Sequence, residues 1–231
     1  MIRRYVVRAA AAGPFEGEIP AELVRGWARN FPPNVARRMT HLGLLLGEVL
    51  REFPIAPEDA VVYATTFGET VATGRYLESF PTASPLFFQT SIHPSAIEQV
   101  LINRGCPVRE LTPLAGQPDL SAQAAMTALL TPGARMLLTG GEEVGTWLRQ
   151  LDAASNVGFG FALELGDAPS GEVLGELCWN PESAQVPVTE RVASSGVQGD
   201  LHALFFAVRD RSPLRCASPA GGEVQLSWYA P

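Results

Sequence analysis

The chain has 231 residues, 46% of them hydrophobic and 18% charged, enough to bury a full core in one large domain or two small ones. A formal net charge of −7 and the lack of any basic run exclude nucleic-acid binding of the kind driven by neutralising phosphates. Nowhere do eighteen uninterrupted apolar residues occur, so no membrane span is predicted. Cys106, Cys178 and Cys216 are odd in number and far apart, which fits reduced thiols in a cytoplasmic protein and small core residues. A zinc site would need closer pairs.

The N-terminus, MIRRYVVRAAAAGPFEGEIP, has two arginines and a short apolar run, but Arg8 interrupts that run and Glu16 and Glu18 follow it. It reads as a first strand over residues 2 to 8, turning at GPFEGEIP into a short helix with Leu23, Val24 and Trp27. After Pro32 and Pro33, Asn34 is placed to cap a long helix. Its apolar stripe steps by three and four through Val35, Met39, Leu42, Leu45, Leu46, Val49, Leu50 and Phe53 before Pro54 ends it.

AVVYATT, residues 60 to 66, is a compact β-branched run that predicts a buried strand, and a helix follows from about Thr70 to Ser79. Leu86 to Thr90 reads as a strand, then a polar elbow, then a helix in which Pro94 takes the first position and Asn103-Arg104-Gly105 the end. Ser121 is placed to cap SAQAAMTALL, and ARMLLTGG gives a strand and turn. VGFGFALELG alternates strictly, with Val157, Phe159, Phe161, Leu163 and Leu165 on one face and Gly158, Gly160, Ala162 and Glu164 on the other. A strand at 172 to 179, a Pro/Ser/Gly-rich loop from Asn180 to Gly199, a helix from Asp200 to about Arg209 and a final strand, EVQLSWY, complete the chain. Strands alternating with helices early, and antiparallel strands late, predict an α/β layered domain with a mixed sheet.

ARRMTHLGLLLGEVL, VVYATTFGET, SPLFFQTSIHPSA, MLLTGGEE and NVGFGFALEL occur in an order and at a spacing that match a family. On these segments the chain resembles the short β-ketoacyl-synthase-like proteins, which are chain-length-factor-like partners in aryl polyene and related polyketide or fatty-acid biosynthesis. The resemblance implies half of a thiolase-like fold, a single domain over residues 1 to 231 with its core at about 1 to 166 and a strand-helix-strand extension at about 171 to 231. A second half or a partner subunit normally completes such a fold. In full-length ketosynthases the elbow carries an acyl-accepting cysteine, and two histidines of the second half assist condensation. Here Gln89 to Ala96 holds no cysteine, and His41, His93 and His202 are the only histidines. The short relatives carry a Ser-Val-His-Asn-like elbow, which Ser91-Ile92-His93 matches and Pro94 leaves. The resemblance thus implies a non-catalytic subunit that pairs with a catalytic ketosynthase and shapes acyl chain length. A homodimer would satisfy the same need for a partner. The acyl chain is expected on the phosphopantetheine arm of an acyl carrier protein, with no cofactor bound to this chain.

The candidate residues of a vestigial site or pocket are Ser91, His93, Phe88, Thr66 and Glu69. His93 at a helix N-terminus is expected to be largely neutral, since the positive end of the dipole disfavours imidazolium. It then serves either as a base to Ser91 or as a cap that fills the vacated thiol position. An autonomous acyltransferase or hydrolase using Ser91 and His93 is the alternative function, although no Gly-x-Ser-x-Gly surrounds Ser91 and no orienting acid is evident. Thr65, Thr66 and Glu69 sit at a strand-to-helix turn, where capping explains them as well as a pocket does. Gly140-Gly141-Glu142-Glu143 reads as a tight turn with solvated acids, because adjacent carboxylates diverge. Gly158-Phe159-Gly160 lacks the third glycine and following helix of a nucleotide loop. His41 and His202 read as interior or interface histidines.

Overall fold

A computed structural model describes residues 1–17, 19–116, 118–169, 172–183 and 199–230. The strands are β1 (Ile2–Glu16), β2 (Ala60–Thr65), β3 (Glu110–Ala115), β4 (Arg135–Glu142), β5 (Val157–Gly166), β6 (Gly175–Asn180), β7 (Leu214–Ala217) and β8 (Glu223–Trp228). The helices are α1 (Ala21–Ala28), α2 (Pro33–Ala36), α3 (His41–Val49), α4 (Thr70–Glu78), α5 (Pro85–Ser91), α6 (Ser95–Asn103), α7 (Leu120–Leu130) and α8 (Gly199–Arg209).

The described strands form one eight-stranded sheet in the order β3-β2-β4-β5-β1-β6-β8-β7. β2 runs parallel to β3 and β4, and the remaining pairings are antiparallel. The mixed α/β sheet expected from the sequence is therefore present, with β3 and β7 as its two edges.

Both faces of the sheet are covered, and the alternation along β5 decides which residues go where. Phe159, Phe161, Leu163 and Leu165 point to a core shared with α7 and α8, where Ala124, Ala128, Leu204 and Phe205 meet them. Ala162 points the other way, to a second core built with Val61, Tyr63, Leu45, Leu46, Ile97 and Phe53. The small residues of α7 let its backbone lie close to the sheet, and Ala122, Ala124, Ala125 and Ala128 are all buried there. β2 is buried at all six positions, as a strand flanked by parallel neighbours and covered on both faces must be.

Several expectations are corrected. β1 runs on to Glu16 because it pairs with β5 along most of its length. The long helix expected from Asn34 to Phe53 is two helices, since the Thr40 hydroxyl accepts the Gly43 N–H and starts α3 afresh. Pro33 rather than Asn34 opens α2. Asp119, in a left-handed conformation, precedes α7, and Ser121 lies inside the helix instead of capping it.

The expected strand at Leu86 to Thr90 is a helix, α5. Ser84 accepts the Phe87 N–H and Pro85 occupies the first turn, so the local capping chemistry outweighs the bulky apolar side chains. β3 and β7 were not expected. Pro113 argues against an interior strand, and β3 is an edge, where a missing N–H is tolerated. Most of the loop predicted at Asn180 to Gly199 lies outside the described residues.

The sheet packs closely at Gly140. A Cβ built there would stand 2.3 Å from the Ala64 carbonyl oxygen and 3.0 Å from the Phe161 ring. Gly140→Ala is expected to destabilise the fold at the upper end of the ~1–3 kcal/mol that overpacking costs. Urea denaturation checks this, with Gly26→Ala inside α1, whose added Cβ meets nothing, as a control expected to stabilise by ~0.5–1 kcal/mol.

Candidate functional site

The carboxyl ends of the parallel strands β2, β3 and β4 lie side by side, the place where open α/β sheets commonly hold their sites. The β2–α4 turn leaves Thr65, and Gly68 within it has φ +72°, a left-handed conformation that suits glycine. The β3–α7 turn packs beside it, with the Gly116 N–H donating to the Thr65 carbonyl at 3.3 Å. β4 ends next door in Glu142, followed by Glu143.

Neither of these two glutamates is solvated. Glu142 is 2% and Glu143 1% exposed, which overturns the surface turn expected for Gly-Gly-Glu-Glu. Their side chains do diverge. Glu142 accepts from the backbone N–H groups of Thr66 and Phe67 and from the Thr65 hydroxyl. Glu143 accepts the Val71 N–H at 2.7 Å and the Leu42 N–H at 3.0 Å, tying the starts of α4 and α3 to the end of β4. Burial pushes both carboxyls up from the ordinary 4.5 to about 7, against the pull of these backbone donors.

Glu69 is the third buried carboxylate. It precedes α4 without capping it, and its Oε1 instead accepts the Ala96 N–H at 2.7 Å, at the start of α6. Its Oε2 lies 3.7 Å from His93 Nδ1, too long for a hydrogen bond. The His93 ring stacks on Tyr63 with centroids 5.1 Å apart. Neither nitrogen of His93, nor the Tyr63 hydroxyl, nor Glu69 Oε2 has a hydrogen-bond partner among the described residues. Burial first, then Glu69, Glu142 and Glu143, raises the Tyr63 phenol well above its usual value.

Of the residues singled out from sequence, Thr66, Glu69 and His93 come together here. Ser91 and Phe88 do not join them. The Ser91 hydroxyl donates to the Phe88 carbonyl at 2.8 Å within α5, and Phe88 stands half exposed beside Tyr76. Ser91 and His93 thus form no hydrogen-bonded pair. The segment expected to be a strand and elbow is a helix, a short loop and a second helix, α5 to α6.

A second strand-to-helix connection beside the buried glutamates is β3 to α7, and its sequence, Gly116-Gln117-Pro118-Asp119, offers no cysteine, serine or threonine. Gln117 lies outside the described residues. The three cysteines are free thiols elsewhere, Cys178 buried and Cys106 and Cys216 half-buried. Among the described residues no group of three or more His, Cys, Asp or Glu is arranged to hold a metal ion. None of the described helices is long and apolar enough to cross a membrane.

No protein-family model and no curated protein matches the chain. Solved structures do. A chain of the ketosynthase (ApeO) in complex with its chain length factor (ApeC) from Xenorhabdus doucetiae superposes with a TM-score of 0.63 at 17% identity, covering 98% of this chain and 100% of that one. A chain of AntDE:AntF, a type II polyketide acyl-carrier protein in complex with its ketosynthase bound to the hexaketide, gives 0.62 at 12% identity, with both chains covered fully. The ishigamide ketosynthase/chain length factor gives 0.50 at 11% identity, over 79% of this chain and 65% of that one. The chain has the thiolase-like ketosynthase fold.

Within this ketosynthase-like fold, sequence reasoning placed the turn residues Thr66 and Glu69 correctly but missed Glu142 and Glu143. A usable signal was present: Glu142 continues a strand, RMLLTGG, that is nearly all apolar or small, so its next residues had every reason to stay inside.

Because Glu142 and Glu143 titrate near 7 when folded and near 4.5 when unfolded, the folded protein holds protons that the unfolded chain has released between those values. Their contribution is fully present below pH 4.5 and is lost as pH rises through about 7. Urea midpoints are expected to fall across this window and then level off. Glu142→Gln and Glu143→Gln should each flatten the slope and cost about 1–3 kcal/mol, since an amide nitrogen then faces a backbone donor.

Proposed function

We propose that this chain is a non-catalytic partner subunit of a ketosynthase, pairing with a catalytic β-ketoacyl synthase and setting how long the acyl chain grows. The observation that carries this reading is an exposed apolar surface on α4 and α5. Leu77, Phe80, Leu86, Phe88 and Ile92 all present their side chains to solvent, and contiguous exposure of large apolar residues marks an interface. Phe88, 51% exposed on α5, would enter a partner and close the end of its acyl tunnel. The open edge strand β3 supplies unpaired backbone groups that would extend the contact.

The absent nucleophile supports the same reading. The β3–α7 turn offers no thiol or hydroxyl, and Ser91 spends its proton within α5. The likeness to chains from a ketosynthase with its chain length factor, and from a ketosynthase with its acyl-carrier protein, points to the kind of assembly. The growing chain would arrive on the phosphopantetheine arm of an acyl carrier protein held by the catalytic subunit.

Co-expression with a candidate ketosynthase should yield a heterodimer by light scattering, and condensation should require both proteins. Phe88→Ala should lengthen the products by at least one extension unit, and Phe88→Trp should shorten them, as read by mass spectrometry. A chain that binds no ketosynthase, or that condenses acyl groups unaided, would sink the reading.

A further inference from the structure

We infer that the groove bounded by α1, the start of α3, α4 and α5 binds an acyl chain bearing an anionic head group, a carboxylate or a phosphate. The groove consists of two adjoining cavities of about 300 and 310 Å³, which share His41, Val71 and Arg75. These volumes fall at the lower end of the range for small-molecule sites. The first is floored by Val24, Met39, Leu44 and Val71, and the second continues past Ile19 and Val144. An apolar tail has room along this floor.

The rim has the opposite chemistry. Arg25, Arg37, Arg38 and Arg75 line the first cavity, and no carboxylate lines it. Glu78 lines the second, beside Arg75 and Arg149. Several arginines outside the groove are closely paired. Arg135 meets Asp59 at 2.6 Å, and Arg3 and Arg8 meet Glu176 and Glu164 at 3.1 Å. By contrast, no carboxylate of the described residues pairs with Arg37, Arg38 or Arg75, and Arg25 has only the loose, solvent-exposed contact with Glu22 at 3.9 Å.

A protein of net charge −7 therefore gathers four weakly compensated guanidinium groups around one apolar hollow. Their mutual repulsion is relieved by a bound anion, and the planar fork of arginine suits carboxylate and phosphate alike. A short, half-open hollow of this size fits a single chain with one charged end. A peptide helix would instead need an extended groove. The groove adjoins the proposed partner surface and shares Leu86 with it, but its lining comes from one chain, so it is tested on the isolated protein.

Isothermal titration of the full chain with decanoate, decyl phosphate, decanol and decyltrimethylammonium, each below its micelle concentration, tests it. Decanoate, decyl phosphate or both should bind at one site, at least tenfold more tightly than decanol, with no binding of the cation. Whichever anion binds more tightly identifies the head group. Arg37→Gln/Arg38→Gln/Arg75→Gln should weaken the anion at least tenfold. Arg215→Gln, a surface change outside the groove, should leave it unchanged, with circular dichroism confirming that each variant folds. Failure of both anions to bind, equal binding of decanol, or full affinity in the triple variant would overturn the inference. The ketosynthase pull-down is untouched by any of these results.

Discussion

Three carboxylates hidden at the head of the parallel strands hold this molecule together. Burying a carboxylate is costly unless its oxygens are supplied with donors, and the starts of helices are where unused N–H groups are found. Glu143 takes one such group from α3 and one from α4, Glu69 takes one from α6, and Glu142 takes those of the β2–α4 turn. Each debt of one element thus settles that of another. The helices on this face are pinned at their first turns, so the groove between α3, α4 and α5 inherits its shape from residues on the opposite side of the backbone.

The same arrangement explains what the site lacks. At the place where an α/β sheet ordinarily aims reactive groups outward, the side chains here point inward and are occupied with backbone donors. Tyr63 and His93 form a stacked pair whose buried polar atoms find no partner among the described residues. What remains outward-facing is apolar surface on α4 and α5 and a ring of arginines, both features of recognition.

Much of the layering was legible in the residues themselves. The period of two along β5 and the β-branched run of β2 allow little else, because each side chain has one face to go to. The misreadings share a cause. At 84 to 91 the apolar run resembles a strand, and only the Ser-Pro pair betrays the helix cap. At 34 to 53 a continuous hydrophobic stripe conceals a break set by one threonine hydroxyl. Glu142 and Glu143 look solvated by residue type, and their burial depends on donors from residues 72 or more positions away, 42 and 66 to 71, which no local window contains. The arginines of the groove are likewise scattered over residues 25 to 75 and are assembled only by the packing of three helices.

The two ends of the sheet are unlike. β7 is four residues long and alternates between half-buried and exposed positions, a short edge that offers little to a newcomer. β3 is six residues long with one donor removed at Pro113. A neighbouring strand therefore finds more backbone to pair with on β3 than on β7. Two molecules that joined through β3 would each use up that edge, which favours a closed pair over a growing sheet.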